Sequence, residues 1–145
     1  MSDAKVDSNY GMSVNVGKIQ LTSGQATIVN SIATSGETIA VSGLIVSAGK
    51  ILDTQMSITY ASGVTVGAAL NLYASTDGAN FDTNPEPKTV WVNAISINTT
   101  TSGTLVKSSP VIDVSGKQKV HIYVRNNDAN VVIASGAIVR YAIYN

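Results

Sequence analysis

Apolar residues in this chain recur at every second position, over short segments bounded by turn-forming residues. Gln55-Met-Ser-Ile-Thr-Tyr60 and Lys119-Val-His-Ile-Tyr-Val-Arg125 are the clearest examples. A period of two is the alternation of side chains across the faces of a strand, and no window carries the three-to-four-residue stripe of an amphipathic helix. Enrichment in Val, Ile, Thr and Gly opposes helix throughout. Roughly eight to ten strands separated by Gly-containing turns are expected from this spacing. The fold class that follows is all-β, an antiparallel two-sheet β-sandwich of jelly-roll type.

Residues 1–12 are polar and lack sustained periodicity, so they read as a flexible N-terminal arm, with residues 13–145 as a single sandwich domain. Val14 and Val16 share one parity and Ile19 and Leu21 the other, which predicts a bulge or tight turn at Gly17-Lys18. Ala26–Ala33 and Thr38–Val46 follow as strands, with Thr34-Ser-Gly-Glu37 as a hairpin turn between them. In Gln55–Tyr60 the inward residues are Met56, Ile58 and Tyr60. In Ala68–Ala74 they are Leu70 and Leu72, with Asn71 and Tyr73 outside. Thr76-Asp-Gly-Ala-Asn80 supplies turn chemistry, after which Phe81 is expected to plug one end of the sandwich. Thr89–Asn98 is apolar on both faces and reads as a central strand containing Trp91; Thr99–Gly103 reads as a polar loop. Leu105-Val106 and Val111–Val114 are short candidates divided by Pro110, and Lys119–Arg125 and Ala137–Tyr144 complete the set.

The 145 residues suffice to bury a core without disulfide or metal, and the chain has no cysteine. Nine basic and nine acidic side chains cancel, so no global field draws the chain to nucleic acid or to an anionic membrane. Residues 1–9 lack the apolar core of a secretory signal, and apolar runs are interrupted well short of a membrane span. Synthesis in a cytoplasm without export is the expectation.

Reactive chemistry is sparse. His121 is the only histidine; a catalytic imidazole needs a positioned nucleophile and an orienting carboxylate, and no motif supplies them. Neither a zinc site nor any other cofactor is expected. Asp77, Asn80 and Asp82 depart from the calcium-loop spacing and read as a turn. The carboxylates fall mostly in predicted turns, so no pair shares a strand face for glycoside hydrolysis, and Asn98-Thr-Thr100 is a chance sequon. The chain is therefore expected not to be an enzyme. One stripe stands out: Lys117, Lys119, His121, Tyr123 and Arg125 share one parity. Such a face could grip an acidic protein surface, a phosphate backbone or a sugar ring; the plainer reading is a solvated strand whose charges discourage edge pairing.

The stretch Leu72-Tyr-Ala-Ser-Thr-Asp-Gly-Ala-Asn-Phe-Asp82, a strand followed by Ser-x-Asp-Gly-x-x-Phe, resembles a signature of β-sandwich domains in tailed-phage virion proteins. The ending, Val120-His-Ile-Tyr-Val-Arg-Asn-Asn-Asp-Ala-Asn130 and a final strand, is similar to the same group. The resemblance covers the latter half of the chain. It implies a jelly-roll structural protein of the virion, of the capsid decoration (cement) kind. Such a protein attaches to the major capsid protein or another virion protein, forms homo-oligomers, often trimers, and uses a terminal arm to bridge neighbours. The shared motif is a turn, so it transfers no binding residues. On this reading Val6 and Tyr10 are candidate anchors in the arm. Two other readings stay open: a tail- or fibre-associated sandwich, and a carbohydrate-binding module with Trp91 as the best residue for an aromatic platform.

Overall fold

The computed structural model describes residues 19–85, 101–109 and 111–145. Within them eight strands run β1 Gln20–Ile28, β2 Glu37–Ile45, β3 Ile51–Val64, β4 Ala68–Ser75, β5 Thr101–Ser108, β6 Ile112–Asp113, β7 Lys119–Asn126 and β8 Ala137–Tyr144. All pairings are antiparallel. The larger sheet has the order β1-β8-β3-β5, with β6 also on β3, and the smaller has β2-β7-β4. The first strand lies beside the last and the second beside the seventh. This nested order is that of a jelly roll, and the protein is an all-β two-sheet sandwich.

The alternation read from sequence places the core. On β3, Leu52, Met56, Ile58 and Tyr60 point inward and are almost fully buried; on β7, Val120, Ile122 and Val124 meet them from the other sheet, and Val139 and Ile143 of β8 complete the layer. Each such large side chain stabilises the fold by roughly 1.5–3 kcal/mol relative to exposure. Leu70 and Leu72 are inside as expected, but Asn71 is also buried, on the opposite face of β4.

The turn at Thr34–Glu37 is real: Gly36 N–H donates to Ala33 O at 3.0 Å and Ser35 takes a positive φ of 54°. It is not a hairpin. β1 pairs with β8 and β2 with β7, so the turn carries the chain from one sheet to the other. Residues 101–103, read as loop, belong to β5, where Gly103 at a φ of 91° lies opposite Tyr60. Of Val111–Val114, Ile112-Asp113 pairs with Ile51-Leu52, and Val114 N–H donates to Lys50 O at 2.9 Å. The N-terminal arm, the predicted bulge at Gly17-Lys18, the strand around Trp91 and Pro110 lie outside the described residues.

One end of the sandwich is tied by polar groups. Tyr60 of the larger sheet donates its hydroxyl to Asn126 Oδ1 of the smaller at 2.9 Å. Asn126, fully buried, donates through Nδ2 to Val131 O (2.9 Å) and Ala33 O (3.2 Å). Beside it, Asp128 accepts from the backbone N–H groups of Asn130 (2.8 Å), Val131 (2.9 Å), Thr65 (3.1 Å) and Val66 (3.2 Å). Burial works to raise the pKa of this carboxyl, but the four N–H donors outweigh it and hold it below the usual carboxylate value. Burial and the Asp128 charge push the Tyr60 phenol well above its ordinary value, so it stays a donor. Three loops thus meet on two side chains.

Candidate functional site

Strand β7 is the middle of the smaller sheet, not an edge, so the stripe predicted from sequence runs down the centre of an outer face. Lys119, His121, Tyr123 and Arg125 are half-buried there, alternating with the inward Val120, Ile122, Val124 and Asn126. Register sets their neighbours: His121 is opposite Tyr73 of β4, Tyr123 lies between Asn71 and Ile39, and Arg125 lies between Ala69 and Glu37. Lys117 is not on the strand; its N–H closes a turn onto Val114 O at 3.0 Å.

His121 is fixed from two sides. Two register shifts interrupt the pairing of β2 with β7, between Ile39 and Val41 and between Val41 and Leu44. Gly43, at a φ of 63°, turns its N–H toward His121 Nδ1 at 2.9 Å. An Nδ1 that accepts carries no proton, so the ring is neutral with its hydrogen on Nε2. Burial lowers the imidazole pKa in the same sense. Above the ring, Phe81 stacks with centroids 3.6 Å apart and planes 17° apart.

That stacking corrects the expected role of Phe81, which covers the outer face instead of plugging the sandwich end. The turn after β4 delivers it. Asp77 Oδ1 accepts from Ala79 N–H (2.8 Å), Asn80 N–H (2.8 Å) and Ser75 Oγ (3.0 Å), and Oδ2 accepts from Asn80 Nδ2 at 2.8 Å. Gly78 takes the positive φ of 80° that the turn requires. The backbone and side chain of Asn80, then Ala79 and Ser75, hold the Asp77 carboxyl well below the usual range. Asp82 N–H then returns to Ala74 O at 2.8 Å, leaving Phe81 over the sheet.

Glu37, at the start of β2, reaches over the central strand. Its Oε2 accepts from the Tyr73 hydroxyl (2.9 Å) and Asn71 Nδ2 (3.0 Å), and Oε1 also accepts from Tyr73 at 3.2 Å. Burial, then the Glu37 hydrogen bond and charge, raise the Tyr73 pKa. Tyr73 meets Tyr123 edge-on at 5.1 Å. Asn71 Oδ1 is buried without a hydrogen-bond partner among the described residues. Glu37, Tyr73, Phe81, Asp82, His121 and Tyr123 enclose a hollow of about 270 Å³.

The structure therefore gathers His121 and Tyr123 into a site and leaves Lys117 outside it, while Arg125 directs Nε to Asn127 Oδ1 at 3.2 Å. The hollow is aromatic and acidic where the sequence stripe was basic. Glu37, Asp82 and Phe81 were missed as site residues because they come from other elements, Glu37 having been read as part of the turn before β2. Val6, Tyr10 and Trp91 lie outside the described residues. A second hollow of about 360 Å³ lies between Asp53, Ser109 and Arg140 of the larger sheet. Chemically, the first site offers fixed acceptors, ring faces and one imidazole N–H, which suits binding.

Fold and face together define a jelly-roll-type sandwich with a small acidic, aromatic hollow on its smaller sheet. No protein-family model matches the sequence, and no curated protein does. Among solved structures the chain is similar to the SPBc2 prophage-derived protein YomS, at 13% identity and a TM-score of 0.42, covering 93% of this chain and 100% of that one. It is similar to a chain of the cyanophage Pam1 capsid asymmetric unit, at 18% identity and a TM-score of 0.43, covering 92% and 89%. It is also similar to a chain of the semi-empty virus-like particle of Macrobrachium rosenbergii nodavirus, at 11% identity and a TM-score of 0.31, covering 91% and 96%.

Proposed function

We propose that this chain is a non-enzymatic structural virion protein that binds the assembled capsid surface and reinforces subunit junctions. The observation that carries this reading is the commitment of the chain's single histidine to architecture. His121 Nδ1 holds the Gly43 bulge and its ring is stacked against Phe81, so the imidazole is spent on shaping a surface. The Ser-x-Asp-Gly-x-x-Phe stretch that resembles phage virion sandwiches is the segment that builds this surface, through the Asp77 turn and Phe81.

The mechanism is mass action. A protein that binds only the assembled shell stabilises it by RT ln(1 + [L]/Kd). Oligomerisation, with a trimer favoured, raises effective concentration, so modest contacts per subunit suffice. Residues 1–12 serve as an arm that grips the neighbour, with Val6 and Tyr10 as apolar anchors. The partner is the major capsid protein or another virion protein; the balanced charge of the chain disfavours nucleic acid and membrane. Deleting residues 1–12 should leave a folded domain that occupies purified capsids more weakly. Unchanged occupancy removes the arm from the mechanism. A label located on tail or fibre instead of the shell would move the same sandwich to that position.

A further inference from the structure

We infer that the hollow between Glu37, Tyr73, Phe81, Asp82, His121 and Tyr123 receives an arginine side chain presented by the protein to which this chain binds. The inference rests on the proposed function only for the source of that side chain. Its own support is the imbalance of the site.

The charge is one-sided. Glu37 and Asp82 both line the hollow, and among the described residues no cation pairs with either. Arg125, the cross-strand neighbour of Glu37, instead directs Nε to Asn127. His121 adds no positive charge, because its Nδ1 accepts the Gly43 N–H. Among the described residues the Glu37 carboxylate is oriented by neutral donors alone, Tyr73 and Asn71. A carboxylate has about four acceptor positions, so Oε1 keeps capacity for a further donor. The buried Asn71 Oδ1 accepts nothing from the described residues. Among the described residues, acceptors exceed donors at Glu37 and at the Asn71 that bonds it.

The shape and walls select among cations. The rings of Tyr73, Tyr123 and Phe81 border about 270 Å³, room for one side chain and too little for an extended chain. A guanidinium is planar, weakly hydrated and rich in donors, so it can lie on a ring face while bonding a carboxylate side-on. An ammonium lacks the planar fork. A neutral sugar would use the ring faces but leave both carboxylates uncompensated.

The test is an NMR titration of the free full-length chain with N-acetyl-arginine amide, following the ring signals of Tyr73, Phe81, His121 and Tyr123. Saturable shifts confined to these rings are expected, with weaker binding of N-acetyl-lysine amide and none of methyl glucoside. Glu37→Gln should weaken the arginine response about tenfold or more, the scale of losing a charge-assisted hydrogen bond. Should that variant not fold, Asp82→Asn on the exposed rim carries the same comparison, with a loss of about threefold. The inference is overturned by no response to the arginine probe, by equal binding to the folded acid variant, or by a glucoside response in its place. No capsid enters this titration, so its failure leaves shell binding untouched, and failed shell binding leaves a positive titration standing.

Discussion

Gly43 donates its backbone N–H to Nδ1 of His121 at 2.9 Å, across the irregular register where β2 bulges away from β7. The bond requires a neutral ring, and burial holds the imidazole pKa below its ordinary 6.5. The unfolded chain therefore binds this proton more readily than the folded one. Between the depressed folded value and 6.5, stability rises with pH; it is fully present above 6.5 and lost as pH falls through the folded pKa. Thermal unfolding measured from neutral to mildly acidic pH should show this decline, and His121→Gln should flatten it. A parent protein with constant stability across that window would contradict the assignment.

Asn126 should matter more than the phenol that binds it. Asn126→Ala strips partners from the buried Tyr60 hydroxyl and Asp128 N–H and from the part-buried carbonyls of Val131 and Ala33, all at one end of the sandwich. A loss of about 3 kcal/mol is expected in urea unfolding. Tyr60→Phe leaves Asn126 Oδ1 with its bond from Asp128 N–H and should cost about 1 kcal/mol. Reversal of that order would show that the asparagine is not the hub.

Two glycines differ in what stands in front of them. A methyl group on Gly24 would overlap the hydroxyl end of the Tyr141 ring, which can swing aside. A methyl on Gly49 would overlap Ile143 Cγ2 and press on the Tyr144 carbonyl, which is backbone. Gly49→Ala should therefore destabilise more than Gly24→Ala, by about 1–3 kcal/mol, in paired denaturation curves.

The Asp77 turn aims Phe81, so its loss should be felt at His121. Asp77→Ala removes the acceptor shared by Ala79, Asn80 and Ser75. The fold should persist, but the His121 ring protons, shielded by the stacked Phe81, should move downfield in NMR spectra. Unmoved signals would mean that the turn does not position the ring.

The two-residue period made the strands legible wherever one face was apolar, as in Met56, Ile58 and Tyr60 or in Val120, Ile122 and Val124. Pairing was less legible. The turn at Thr34–Glu37 has hairpin chemistry locally, yet partner choice is settled by burial across the whole chain, which puts β1 against β8 and β2 against β7. The same remoteness hid most of the site. His121 and Tyr123 could be named from their own strand, but Glu37 and Phe81 reach them only because the nested order brings β2 and β4 to either side of β7. Likewise, Asn71 faces outward as its parity requires and is buried nonetheless, a fact of neighbours that alternation does not encode.

The central claim, the proposed binding to an assembled shell, is tested most directly by sedimenting the full chain with intact capsids of the particle proposed to carry it and, in parallel, with their unassembled capsid protein. Saturable co-sedimentation with capsids, little binding to free subunits and a higher melting temperature of the loaded shell are the predicted results. Equal binding to free subunits, or no binding to the shell, would contradict it.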